Sequence, residues 1–448
     1  MARWHLPHFV EKARRGMLTL LLSGTMLTTG AFGGSPKPGT GTAPPADTTT
    51  AVTPLDSLAV QREQTRSGDK YTWRQAEIRA MAARNGQFHY EARENPDSLK
   101  AMFARSAQTD YSYEQVPEGV RDLWQNMQTL RNSHSIMGPA LADFSVRANI
   151  FYDYTPMTNT DGLWHNSNGV ADIGSSDHQS QAHRLLTQVH ETIHGIQEVT
   201  EGHKDYFFSL ADFQLSQFSG EAAAMAGGHI IALDLARTGI TDPWRSFEQE
   251  PRSESRAIEA AYDSVMKGGG TRSEALAAAG IESFKAQFKD QSWLDFYNDQ
   301  VLANYIPRLT QADFPFEHYG RTHYGLEEAR KTGWISPEFN FTAKLDTLPV
   351  YADRFGDNKK MRQVFDYVEL QCLLRCAGEQ DPTYLEKLDH LRQDKNPYLG
   401  LDLKQVQQER DRPGNQRGVF DIMNDLAKAQ HHHVPGHKKP HRPPAAPL

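Results

Sequence analysis

The stretch Thr187-Gln188-Val189-His190-Glu191-Thr192-Ile193-His194-Gly195-Ile196 decides how this chain is read. In an α-helix, positions four apart lie on one face, so His190 and His194 present two imidazole nitrogens to one point. That spacing lets both reach a single zinc ion at about 2.0–2.1 Å. Glu191 leaves the helix at the edge of that face. It is too far round to be the natural third ligand, but it can reach a water on the ion. Zinc lowers the pKa of such a water toward about 7, and a neighbouring carboxylate then takes the proton during attack on a carbonyl. The bare H-E-x-x-H pattern is weakly specific, and 19 histidines make a chance match a real alternative. The neighbours argue against chance. Thr192, Ile193, Gly195 and Ile196 are uncharged, no proline interrupts, and Leu185, Leu186, Val189, Ile193 and Ile196 supply an apolar side. A solvated structural helix would carry more charge.

A catalytic zinc takes three protein ligands and keeps one position open. The best third candidate is Glu221, in Ser219-Gly220-Glu221-Ala222-Ala223-Ala224-Met225-Ala226-Gly227-Gly228-His229, 27 residues after His194. A run of Gly and Ala lets two helix backbones approach closely, which a short carboxylate needs to reach an ion held on the neighbouring helix. The alternative is an Ala-rich helix with Glu221 facing solvent. His203 would need a third histidine six residues past His194, where Thr200 stands. Asp212 lacks a Gly-Thr-x-Asp context, Glu198 competes for the face already used, and His229 suits a supporting place. For an oxyanion donor, the segment 316–325 offers His323 and Tyr324, with Tyr305 in reserve; an ordinary polar and aromatic loop is the competing reading.

These residues carry a resemblance. HETIH followed by a Glu in an Ala-rich helix resembles the gluzincin branch of zinc metallopeptidases and, more narrowly, an uncharacterised metallopeptidase domain of bacterial proteins. The resemblance covers roughly residues 140–235. It implies a zincin fold: a small antiparallel sheet, one helix bearing the histidines and a second bearing the Glu. It also implies one zinc ion held by His190, His194 and Glu221, with Glu191 as the catalytic base and a peptide or protein as substrate. Gly169 to Gly174 resembles the edge strand on which such enzymes lay an extended substrate by β-addition. Gly220 stands where many gluzincins have Asn. A zinc hydrolase with a non-peptide envelope substrate, or a zincin-fold binding protein without turnover, are the rival readings; an intact Glu191 argues against the last.

Outward from this core, periodicity predicts helices at 73–86, 97–107, 117–132, 177–199, 214–237, 252–267, 273–289, 292–305 and 358–377. Ser175 or Ser176 is the expected cap of the 177–199 helix. Ala142 to Tyr154 and Gly169 to Gly174 read as strands. The class expected is α+β, mostly helical, with a zincin-like core, a small antiparallel sheet, two active-site helices and additional helices. A metallopeptidase domain is expected over 71–408, its core at about 140–235 and a helical C-terminal part at 240–408.

The flanks read differently. Arg3, Lys12, Arg14 and Arg15 precede an apolar run, Met17 to Thr28, and Ala31 and Gly33 follow like the small pair before a cleavage site. That layout predicts a signal peptide over 1–33 and an exported, periplasmic or secreted bacterial protein. Residues 34–70 read as a Pro/Thr/Gly-rich linker and 409–448 as a disordered tail rich in His, Pro and Lys. No second apolar run predicts a membrane span in the mature chain. A net charge of −8 argues against a nucleic-acid partner. The two cysteines exclude a disulfide-dense scaffold and a Cys-rich zinc module; Cys372 and Cys376 read as small hydrophobes, one turn apart and poorly placed to bond.

Overall fold

The computed structural model describes residues 121–147, 150–155, 161–165, 170–174, 180–201, 208–249, 254–311, 319–320, 323–336, 338–348, 354–415 and 417–432. The expected leader (1–33), the linker (34–70) and the helices at 73–86 and 97–107 lie outside these residues. In chain order the elements are α1 (Arg121–Asn132), α2 (Gly138–Arg147), β1 (Phe151–Thr155), β2 (Gly162–His165), β3 (Val170–Gly174), α3 (Gln181–Glu201), α4 (Leu210–Arg237), α5 (Asp242–Glu248), α6 (Ser255–Lys267), α7 (Arg272–Gln287) and α8 (Gln291–Thr310). There follow α9 (Leu326–Thr332), β4 (Trp334–Ser336), β5 (Phe339–Asn340), a 3-10 turn (Phe341–Lys344), α10 (Lys359–Ala377), α11 (Pro382–Gln393), α12 (Leu403–Arg410) and α13 (Val419–His432). The class is the expected one, α+β and mostly helical.

The chain divides into two compact units. The first is drawn from residues up to His203, Ser219–Ala286 and Leu326–Leu348. Its three-stranded sheet has the order β1-β3-β2, with β3 antiparallel to β2 and parallel to β1. The antiparallel pairing expected of the core is therefore present between β2 and β3, and β1 makes the sheet mixed. β3, expected at the edge, is the central strand. Its backbone groups are used on both sides, so it cannot accept a third strand. β4 and β5 form a separate antiparallel pair.

Ser180 caps α3, its hydroxyl accepting from the His183 amide at 3.1 Å; the cap lies C-terminal to the expected Ser175 or Ser176. Leu185, Val189, Ile193 and Ile196 are buried along one stripe of α3. α4 buries Ala222, Ala223, Ala224, Ala226, Ile230, Ile231 and Leu233. Burial on nearly every side leaves it no polar face. At Gly227 an added Cβ would sit 2.2 Å from Ile193 Cδ1, so the small-residue run does what it was expected to do and brings the two helices together.

Two other expectations change. Residues 142–147 are helical, and the strand begins only at Phe151. Buried Met137, Leu141 and Phe144 follow helical spacing, which overrides the partial alternation in the same segment. The stretch 409–448, expected to lack structure, contains α13, in which Val419, Ile422, Met423 and Ala427 are buried. That spacing is helical and was masked by the polar composition around it.

The second unit comprises residues 204–218, 287–325 and 349–448. Its helices start on side-chain caps: Asp290 for α8, Asn358 for α10, Asp381 followed by Pro382 for α11, and Asp402 for α12. Asp299 on α8 accepts from the Phe420 amide at 2.7 Å and so holds the start of α13. Cys372 is buried and Cys376 exposed; both are free thiols.

Candidate metal centre

Helical spacing on α3 and the close approach of α4 bring three ligand atoms together. His190 Nε2 and His194 Nε2 are 3.0 Å apart. Glu221 Oε2, from α4, lies 3.5 Å from the first and 3.4 Å from the second. Ligands at about 2.0–2.1 Å around a tetrahedral ion are separated by about 3.3–3.4 Å. The triangle therefore has nearly the edges that one small ion requires. Among the described residues, His190, His194 and Glu221 are the one group of His, Cys, Asp or Glu side chains whose ligand atoms cluster this way, all within 4.8 Å.

The electrostatics of the group agree. Burial disfavours charge on His194, but the Glu221 carboxylate, with help from Glu191 and Gln197, outweighs it and pushes the imidazole up to about 9. Burial likewise opposes charge on Glu221, and the two histidines outweigh it, holding the carboxyl well below its ordinary range. Without a cation the imidazole therefore draws a proton to balance the carboxylate. The donor set, two imidazole nitrogens and one carboxylate held at this spacing, fits a divalent ion such as zinc.

Glu191 is 4% exposed and stands outside the ligand triangle. It faces β2: a Cβ added to Gly162 would lie 2.5 Å from Glu191 Oε1 and 2.6 Å from Thr187 Cγ2. β2 touches α3 again at Trp164, whose ring lies over Gly195 and whose indole N–H donates to Glu198 Oε2 at 2.9 Å. These contacts lay β2 alongside the histidine helix.

The rival ligands are otherwise engaged. Glu198 accepts from Trp164. His229 is buried, its Nδ1 2.8 Å from Ser283 Oγ and its ring stacked on Phe247. Burial, with the neighbouring charge of His190, takes it down to about 3, so it stays neutral. Asp212, in the second unit, bonds the Ser209 hydroxyl at 3.0 Å, and His203 lies outside the described residues.

His323 and Tyr324 belong to the second unit. His323 Nδ1 is 3.3 Å from Asp212 Oδ2, with the side chain 83% exposed. Tyr324 is buried, its ring edge-on to Phe208. Tyr305, the reserve candidate, is buried with its hydroxyl on the Phe208 carbonyl at 3.4 Å.

Two residues of the site were missed by sequence reasoning. Gln197 bonds His194; its place three positions along the same helix was the available signal. Gly162, on β2, meets Glu191 of the neighbouring helix α3, and nothing local in the sequence marks it.

Fold and site together define a mostly helical α+β protein that carries a His, His, Glu group of metal-ligand geometry on two packed helices. Residues 92–314 match the family described as "Putative metallopeptidase family (DUF6782)", so this segment is similar to that family. The matched span contains all three ligand candidates and Glu191. No curated protein and no solved structure matches the chain at a significant level.

Proposed function

We propose that the protein hydrolyses peptide bonds with one zinc ion held by His190, His194 and Glu221, and with Glu191 as general base. The observation that carries this reading is the ligand triangle, with edges of 3.0, 3.5 and 3.4 Å, beside a buried glutamate outside it. The similarity of residues 92–314 to a metallopeptidase family supports the same reaction class. A bound zinc supplies Lewis acidity, lowering the pKa of water toward about 7 and polarising a carbonyl.

The chain's own residues do the rest. Glu191, held between α3 and β2, accepts the proton of the attacking water and returns it to the leaving amine. Its burial strengthens its interaction with any charge that develops beside it. The substrate strand is best placed along the outer edge of β2, since β3 is already paired on both sides. The basic and apolar N-terminal layout supports export to the periplasm or medium. No helix among the described residues is long and apolar enough to cross a membrane.

The test is a pair of variants. Glu191→Gln keeps the shape of the side chain but cannot take a proton, so zinc should stay and cleavage of a peptide library should fall about a hundredfold to ten-thousandfold. Glu221→Gln offers a poorer ligand, so zinc occupancy itself should fall. Full cleavage by Glu191→Gln would remove the base assignment, and full zinc in Glu221→Gln would move the third ligand elsewhere.

A further inference from the structure

The geometry points to Gln197 as a positioning residue that fixes which nitrogen of His194 faces the metal site, while tying together the segments that build it. This rests on the zinc-site reading above. Gln197 is buried on α3, three positions after His194. Its amide nitrogen donates to the Gly220 carbonyl at 3.0 Å and to the Thr332 carbonyl at 3.1 Å. Carbonyl oxygens only accept, so the NH2 end of the amide must face them. Oε1 is thereby turned toward His194, and it lies 2.9 Å from Nδ1.

An amide oxygen only accepts, so Nδ1 must carry the hydrogen. In neutral imidazole the lone pair then sits on Nε2, the atom 3.0 Å from His190 Nε2 and 3.4 Å from Glu221 Oε2. One side chain therefore sets the tautomer of one ligand and holds the backbone next to another, because Gly220 precedes Glu221. The Thr332 carbonyl at the end of α9 anchors the arrangement from a third segment. Partners that orient a metal-bound histidine typically change metal affinity about tenfold to a hundredfold when removed.

The experiment measures zinc dissociation constants by chelator competition and metal-free melting temperatures for the parent, Gln197→Met, Gln197→Glu and Gly280→Ala. Gly280→Ala is the stability control. Its Cβ would meet Phe341 at 2.7 Å, far in sequence from the ligands. Gln197→Met should bind zinc about tenfold to a hundredfold more weakly than the parent. Gly280→Ala should melt lower yet bind zinc within about threefold of the parent. Gln197→Glu still offers Nδ1–H an acceptor but nothing to the two carbonyls. It should melt below the parent while its zinc affinity stays within about tenfold, and it decides the matter if Gln197→Met does not fold. Parent-like zinc affinity in Gln197→Met, an equal loss in Gly280→Ala, or a loss beyond about a hundredfold in folded Gln197→Glu would overturn the role. A parent that binds no zinc would instead remove the zinc-site reading, and this role with it.

Discussion

Glu191 and Gly162 show how much of the site is decided at single atoms. A general base must lie within hydrogen-bond reach of the proton it removes, and Glu191, the proposed base, packs against a strand that has no side chain to spare at that point. The absence of a Cβ at Gly162 makes the approach of β2 to the carboxylate feasible. On the proposed zinc site, we expect Gly162→Ala to bind zinc as the parent does, since neither histidine nor Glu221 is touched, and to push the Glu191 carboxylate off its position. A displacement on the order of 1 Å in such a group costs about a hundredfold in rate. Steady-state kinetics on zinc-matched samples would show it as lower kcat; unchanged kcat would mean that Glu191 swings clear without cost.

Among the elements, α3 and α4 depend on a small-residue contact. Glu221 reaches the histidines only because Gly227 admits Ile193 and the Ala run keeps other atoms out of the way. Ile193 is itself fully buried, so it has little room to yield. Gly227→Ala overpacks this contact, which typically costs about 1–3 kcal/mol, against a gain of up to about 1 kcal/mol for replacing Gly by Ala within a helix. The net expectation is a less stable protein that also binds zinc more weakly, because separating the helices lengthens the Glu221 edge of the triangle. Denaturant titration and chelator competition on the same samples would measure both. A variant more stable than the parent would show that the helices have slack at this point.

At the scale of the molecule, each unit has its own core, and the second is completed by residues near the C-terminal end. α13 inserts Val419, Ile422, Met423 and Ala427, and its first turn is tied to Asp299. Burying an aliphatic side chain is worth about 1.5–3 kcal/mol. Truncation after Asn415, which would be harmless if 409–448 were a tail, should instead lower the stability of the second unit by several kcal/mol. Thermal unfolding of the truncated and full chains decides it, and equal melting temperatures would make α13 dispensable.

What the sequence determined by itself was local. Periodicity placed α3, α4, α6, α7, α8 and α10 close to their observed bounds, because an amphipathic or wholly apolar helix writes its burial into consecutive residues. The His190 and His194 pairing was equally legible, since both lie on one helix whose geometry is constant. Glu221 was legible one step further, through the Gly and Ala run that lets the neighbouring helix approach. The tertiary structure alone decided the rest. Strand order is set by long-range pairing, and no residue in Val170–Gly174 announces that both its edges are taken. Ala142–Arg147 becomes helix because its apolar residues find a core at helical spacing. Gln197 turns its oxygen to His194 because two carbonyls from distant segments claim its nitrogen, and Gly162 is required because a glutamate from another element occupies the space where its Cβ would be. Such choices depend on what arrives from elsewhere in the fold, and the local chain does not encode them.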